Sequence, residues 1–127
     1  MTDKGVVLII EDNERNRKLA RDILDHAGFE TLEAGSAEAG LELVATRCPG
    51  VVLMDVQLPG IDGVQALRRL RSDPATAGIP VIAVTAFAMK ADRERFLAAG
   101  FDGYVEKPLD IREFPRQVAA ALAGAPA

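Results

Sequence analysis

Val51-Val52-Leu53-Met54-Asp55-Val56-Gln57-Leu58-Pro59 is the stretch on which the fold turns. Its first four residues are apolar and two are β-branched, the pattern of a strand buried on both faces. Pro59 and Gly60 follow too closely for a helix to continue, so the run ends in a loop. Asp55 therefore stands where a central strand leaves the core. In an open parallel sheet, ligands bind outside the carboxyl ends of the strands. A lone Asp at such a place serves equally well to start a turn.

Two further apolar runs flank it in sequence. Val6 to Ile10 ends in Glu11-Asp12-Asn13, and Val81 to Val84 is closed by Thr85. Two weaker strands complete the set: Thr31 to Ala34 alternates polar and apolar, and Gly103 to Glu106 is short and ends at Lys107-Pro108. Helical spacing fills the gaps. Leu19, Ala20, Ile23, Leu24 and Ala27 form one stripe, stopped by Gly28. Ser36 caps a second helix with Ala37, Gly40, Leu41, Val44 and Ala45 inward, ended by Pro49. Asp62-Gly63 opens a third, with Val64, Leu67 and Leu70 inward and Arg68, Arg69 and Arg71 outward. Met89, Arg93, Phe96 and Leu97 share a face of a fourth before Gly100. The last helix has Asp110 as N-cap and Glu113 completing a capping box, with Ile111, Phe114, Val118 and Leu122 as its buried stripe. Pro115, within a turn of that start, removes one early backbone hydrogen bond.

Five strands alternating with five helices demand an α/β fold, a doubly wound parallel sheet covered on both faces. The three apolar strands are central and the two weaker ones are edges. The order 2-1-3-4-5, the flavodoxin-like arrangement, satisfies this. Asp12 and Asp55 then end neighbouring strands, and Thr85 and Lys107 end the next two.

The 127 residues suit one domain, spanning 1–127 without an output domain. Fifteen Lys and Arg against nineteen acids give a net charge of −4 with no basic stripe, which argues against nucleic acid as a partner. Neither a signal peptide nor a membrane span is apparent, so a cytoplasmic protein is expected. Cys48 is alone, which excludes an internal disulfide and a thiolate metal site; it reads as a partly buried small residue. His26 reads as a solvated residue near the end of the first helix.

Glu11, Asp12 and Asp55 converge at the carboxyl edge. Carboxylates that close need a positive charge between them. A hard divalent cation such as Mg²⁺, which takes carboxylates, water and phosphate as ligands, supplies one. Lys107 supplies another, and Thr85 adds a hydroxyl donor. Carboxylate nucleophile, cation, lysine and hydroxyl together are what phosphoryl transfer requires.

The set Glu11-Asp12, Asp55, Thr85-Ala86 and Lys107-Pro108, with Leu58 to Gly63 after the acceptor, resembles the receiver domain of two-component response regulators along the whole chain. The resemblance implies a CheY-like fold and phosphorylation of Asp55 by a phosphohistidine on a sensor histidine kinase or histidine phosphotransfer protein. It implies Mg²⁺ held by Asp12, Asp55 and the backbone carbonyl of Gln57, with Glu11 helping directly or through water. Thr85, Ala86 and Lys107 would contact the phosphoryl group. Thr85 and Tyr104 would form a switch that reaches downstream proteins through the fourth helix, fifth strand and fifth helix. The Lys107-Pro108 bond resembles the family's cis bond. Val84 to Lys90, including Phe87, Ala88 and Met89, resembles a branch of stand-alone receivers acting in cell division.

Other readings stay open at this point. The chain is also compatible with a phosphotransfer intermediate in a relay, or the receiver of a hybrid histidine kinase. A flavin or nucleotide binder of the same fold is disfavoured by the acidic Glu11-Asp12-Asn13-Glu14 where a phosphate loop would stand. A dehalogenase-type phosphatase is disfavoured by Gln57, where a second Asp is needed. The reading is of a regulatory phosphoacceptor that assists its own chemistry, not of an enzyme acting on other substrates.

Overall fold

The computed structural model describes residues 5–56, 63–86 and 90–123. The expectations placed on Gln57, Asp62, Phe87, Ala88 and Met89 lie outside these. Strands and helices alternate as β1 (Val6–Ile10), α1 (Glu14–His26), β2 (Glu30–Ala34), α2 (Ala37–Arg47), β3 (Val51–Asp55), α3 (Gly63–Ser72), β4 (Val81–Thr85), α4 (Lys90–Ala99), β5 (Gly103–Glu106) and α5 (Glu113–Leu122). All four strand pairings are parallel, in the order β2-β1-β3-β4-β5. The apolar runs occupy the centre and the alternating and short strands the edges, as the sequence requires.

The two-residue strand period divides the core into two layers. Leu8, Ile10, Val52, Met54 and Ala83 face Val44, Leu67 and Phe96 on one side of the sheet. Val7, Ile9, Leu53, Ile82 and Val105 face Leu24, Phe114 and Val118 on the other. Each fully buried aliphatic side chain of this kind contributes about 1.5–3 kcal/mol. Asp55 shares the parity of Val51 and Leu53, and Thr85 that of Val81 and Ala83, so the sheet presents the two residues to opposite layers.

Local chemistry fixes the helix starts. Asn13, not the neighbouring Asp12, caps α1, its side chain accepting from the Asn16 N–H at 3.1 Å. Ser36 caps α2 through the Ala39 N–H. α3 begins hard against the end of β3. A Cβ at Gly63 would lie 2.9 Å from Cα of Val56 and 3.0 Å from the carbonyl oxygen of Asp55, so only glycine fits there without a backbone shift.

Several side chains depart from the sequence reading. Ile111, expected in the buried stripe of α5, is 70% exposed, because residues 111 and 112 form a turn ahead of the helix and fall outside its register. Asp110 Oδ1 accepts from the Arg112 and Glu113 N–H groups, the forward half of a capping box; no reciprocal bond from Glu113 forms among the described residues. Cys48 is exposed, not partly buried, because it occupies the left-handed cap of α2 at φ 45° while Pro49 turns inward. Leu19 and Leu97, counted in apolar stripes, are both 46% exposed. Arg71 is not an outward residue: its guanidinium bonds the carbonyls of Ala77, Ile79 and Gly100 and Oδ2 of Asp102 at 2.6–3.2 Å. Asp102 Oδ2 also accepts from the Val81 N–H, so one cation joins α3, the loop before β4 and the loop before β5.

Candidate functional site

Register places the candidate residues at one edge. Asp55 is the last residue of β3 and pairs with Val84, and Thr85 is the last of β4 and pairs with Glu106. The Lys107 N–H donates to the Thr85 carbonyl at 2.8 Å, which carries the β4–β5 ladder one step past the strand and fixes where the lysine side chain begins. The Lys107-Pro108 bond is cis. Glu11 follows β1 directly, its N–H donating to the Ala34 carbonyl at 3.0 Å.

Glu11, Asp55 and Thr85 are all buried, whereas Asp12 is exposed. Lys107 Nζ donates to Oε1 of Glu11 at 2.8 Å and to Oδ2 of Asp55 at 3.1 Å. One ammonium thus stands between two buried carboxylates that would otherwise repel each other. Burial is the largest single influence on this lysine and opposes its charge. Its hydrogen bonds to Glu11 and Asp55, with their attraction, outweigh burial together and raise its pKa above the usual lysine value. Carboxylate oxygens of Glu11, Asp12 and Asp55 all lie within 4.8 Å of one another. Three hard oxygen donors at that spacing fit a small divalent cation. Ala86 lies exposed at the rim, and Tyr104 is half-buried on β5.

The structure therefore brings together Glu11, Asp12, Asp55 and Lys107, with Thr85 at the end of the adjoining strand. Gln57 is not among the described residues. The groups that support the site were not singled out from the sequence. Arg17 of α1 donates to the Glu11 carbonyl at 2.9 Å and pairs with Glu33, tying the acidic loop to helix and edge strand. Glu11 Oε2 accepts from the Asn13 N–H at 3.2 Å, which orients the carboxylate. An arginine one turn into a helix that follows an acidic loop was the available clue. Beside the carboxylates lies a mainly apolar cavity of about 100 Å³ between α1 and α5, walled by Leu19, Ala20, Leu109 and Phe114.

A doubly wound sheet with this edge defines a class, and the sequence matches its model: residues 7–119 match the response regulator receiver domain, and the chain belongs to that signalling family. Members of the family bind Mg²⁺ in an acidic pocket and interact with histidine kinases and downstream effectors. Within it, the chain is 41% identical over 119 residues to the polar-differentiation response regulator DivK of Brucella ovis, an alignment covering 94% of this chain and 97% of that protein. A response regulator of Chloroflexus aurantiacus is similar in structure, with a TM-score of 0.89, 30% identity and coverage of 94% and 98%. So is the receiver domain of a Pseudomonas aeruginosa sensor histidine kinase, at TM-score 0.86, 28% identity and the same coverage; that structure has a magnesium ion coordinated in its active-site cleft. Among the described residues, no helix is long and apolar enough to cross a membrane.

Proposed function

We propose that this receiver is phosphorylated on Asp55 by a phosphohistidine of a sensor kinase or phosphotransfer protein, and that phosphorylation switches its binding to other signalling proteins. The observation that carries the reading is the Lys107 bridge between two buried carboxylates at the edge where three carboxylates meet. In the transfer, an Asp55 oxygen forms a bond to phosphorus as the P–N bond breaks, and that bond's electron pair leaves on the imidazole nitrogen. Lys107 passes from the Asp55 carboxylate to a phosphoryl oxygen, keeping its bond to Glu11. The Thr85 hydroxyl and the Ala86 N–H donate to the same group. Asp12, Asp55 and Glu11, with the Gln57 carbonyl, would hold Mg²⁺, which neutralises charge on the transferring oxygens.

The alignment with DivK, which covers 97% of that protein, supports a role in cell-division or polarity signalling. The output face is α4, β5 and α5. α4 buries Phe96 alone among its described residues, which makes it the helix most readily moved. Thr85 transmits the signal by turning toward the phosphoryl group, with Tyr104 following.

Incubation with Mg²⁺ and acetyl phosphate should add one phosphoryl group by intact mass, and Asp55→Asn should abolish it, since an amide does not attack phosphorus as a carboxylate does. Undiminished labelling of Asp55→Asn would place the acceptor elsewhere. For the output, Thr85→Ala should still accept phosphate, more slowly, but lose the phosphorylation-dependent gain in partner affinity.

A further inference from the structure

Tyr104 does not stand alone on β5. Arg93 of α4 donates from Nη2 to the Tyr104 hydroxyl at 2.6 Å, and its guanidinium carbon lies over the ring 4.7 Å from the centroid. The same cation thus holds the ring by its face and by its polar tip. Hydrogen bonds to charged donors are stronger than neutral ones, and a cation over an aromatic face adds to them. The pair walls a groove of about 370 Å³ that also meets Leu97 and Gln117, so the ring is held on the solvent side of the output face.

Register gives the alternative position. Tyr104 pairs with Ala83, and Glu106 with Thr85, so Tyr104 and Thr85 are diagonal neighbours on one face of the sheet. On β4 the neighbour directly beside Tyr104 is Ala83, whose side chain is a single methyl. A ring turned inward would pass over alanine toward Thr85, away from the groove that Arg93 and Tyr104 wall together.

We infer that Arg93 is a positioning residue that latches Tyr104 outward and so sets the resting level of the switch. This rests on the proposed Thr85–Tyr104 switch and adds to it the element that opposes the swing. Whatever favours the inward ring must break both contacts, and whatever removes the contacts favours the inward ring. By linkage, a variant without the latch binds an acyl-phosphate mimic more tightly by the same factor that its ring equilibrium shifts.

The composition makes the test direct. The chain has one Tyr and no Trp, so its intrinsic fluorescence is that of Tyr104. The emission of the wild type, Arg93→Met and Arg93→Lys is recorded with and without Mg²⁺ and beryllofluoride, and the apparent beryllofluoride affinity is titrated. Arg93→Met keeps chain length but loses both contacts; it should emit without ligand part-way toward the liganded wild type and bind beryllofluoride about five-fold more tightly. Arg93→Lys, a point charge without the planar fork, should fall between the two. In a Tyr104→Ala background, Arg93→Met should no longer change the affinity. If the wild-type emission does not respond to beryllofluoride, the switch reading fails and the latch with it. If the wild type responds but Arg93→Met matches it in resting emission and affinity, the latch alone is refuted. An Arg93→Met effect undiminished in Tyr104→Ala also refutes it, because the arginine then acts through another group.

Discussion

The Lys107 ammonium lies 3.1 Å from Oδ2 of Asp55, a residue 52 positions earlier in the chain, and 2.8 Å from Glu11 as well. The cation at the centre of the site is therefore also a structural member, and removing it should show first in stability. Loss of one partner from a fully buried ion pair costs roughly 3–5 kcal/mol, and the partial exposure of Lys107 reduces this to about 1–2 kcal/mol. Lys107→Met should lose that much in urea unfolding, and Mg²⁺ should restore more of it in the variant than it adds to the wild type. Equal gains in the two proteins would mean that the carboxylates do not receive the metal in the lysine's place.

The same contacts set an alkaline limit. The folded-state pKa of Lys107 is raised, so its stabilisation is fully present below the ordinary lysine value and is lost as pH rises through the higher, folded value. The stability difference between wild type and Lys107→Met should accordingly stay flat through neutral pH and narrow only above about pH 10. A difference that narrowed already between neutrality and that range would contradict the raised pKa.

Gly63 controls the site from behind. In Gly63→Ala the new methyl meets backbone atoms of Asp55 and Val56, which cannot rotate away, so the end of β3 must move. Overpacking of this kind costs about 1–3 kcal/mol, and acetyl-phosphate labelling should slow with it. Gly40→Ala is the matched comparison: its methyl meets the Ile10 side chain, so it should destabilise the protein while leaving the labelling rate of the folded fraction nearly unchanged. Equal labelling rates in the two variants would argue against a positional role for Gly63.

Arg71→Ala should behave in the opposite sense to a site variant. It strips a charged donor from three carbonyls and Asp102 and should cost about 2–3 kcal/mol, with the melting temperature falling. Labelling of Asp55 in the folded protein should persist. A folded Arg71→Ala protein that no longer labels would show that the far edge of the sheet communicates with Asp55.

The architecture was legible because burial writes itself into sequence as a period. Val51 to Met54, Val6 to Ile10 and Val81 to Val84 are apolar without interruption because helices cover both faces, while Thr31 to Ala34 alternates because it lies at an edge. Strand order followed, and with it the meeting of Glu11, Asp12, Asp55 and Lys107. Arg71 and Arg93 satisfy polar groups on other elements, and such pairings leave no period. Arg71 reads as a surface residue of α3 because its acceptors lie in two loops, the farther ones 29 and 31 residues on. Arg93 reads as part of a helical face because its partner belongs to another element. Ile111 carries the right residue type at the right spacing, but the helix begins after it.

The Arg71 tie and the acidic edge lie at opposite ends of the same strands, and that separation sorts the ways in which the protein can fail. Variants around Arg71, Asp102 and the carbonyls they serve reduce how much folded protein a cell keeps, since a shift of one or two kcal/mol changes abundance several-fold. Under the proposed function, variants of Glu11 and Asp55 alter what each surviving molecule can say, while Lys107, which also holds the fold together, enters both counts. A survey of substitutions scored once for abundance and once for message would therefore find positions at the Arg71 end of the sheet that lower abundance alone, with Lys107 and Gly63 scoring in both.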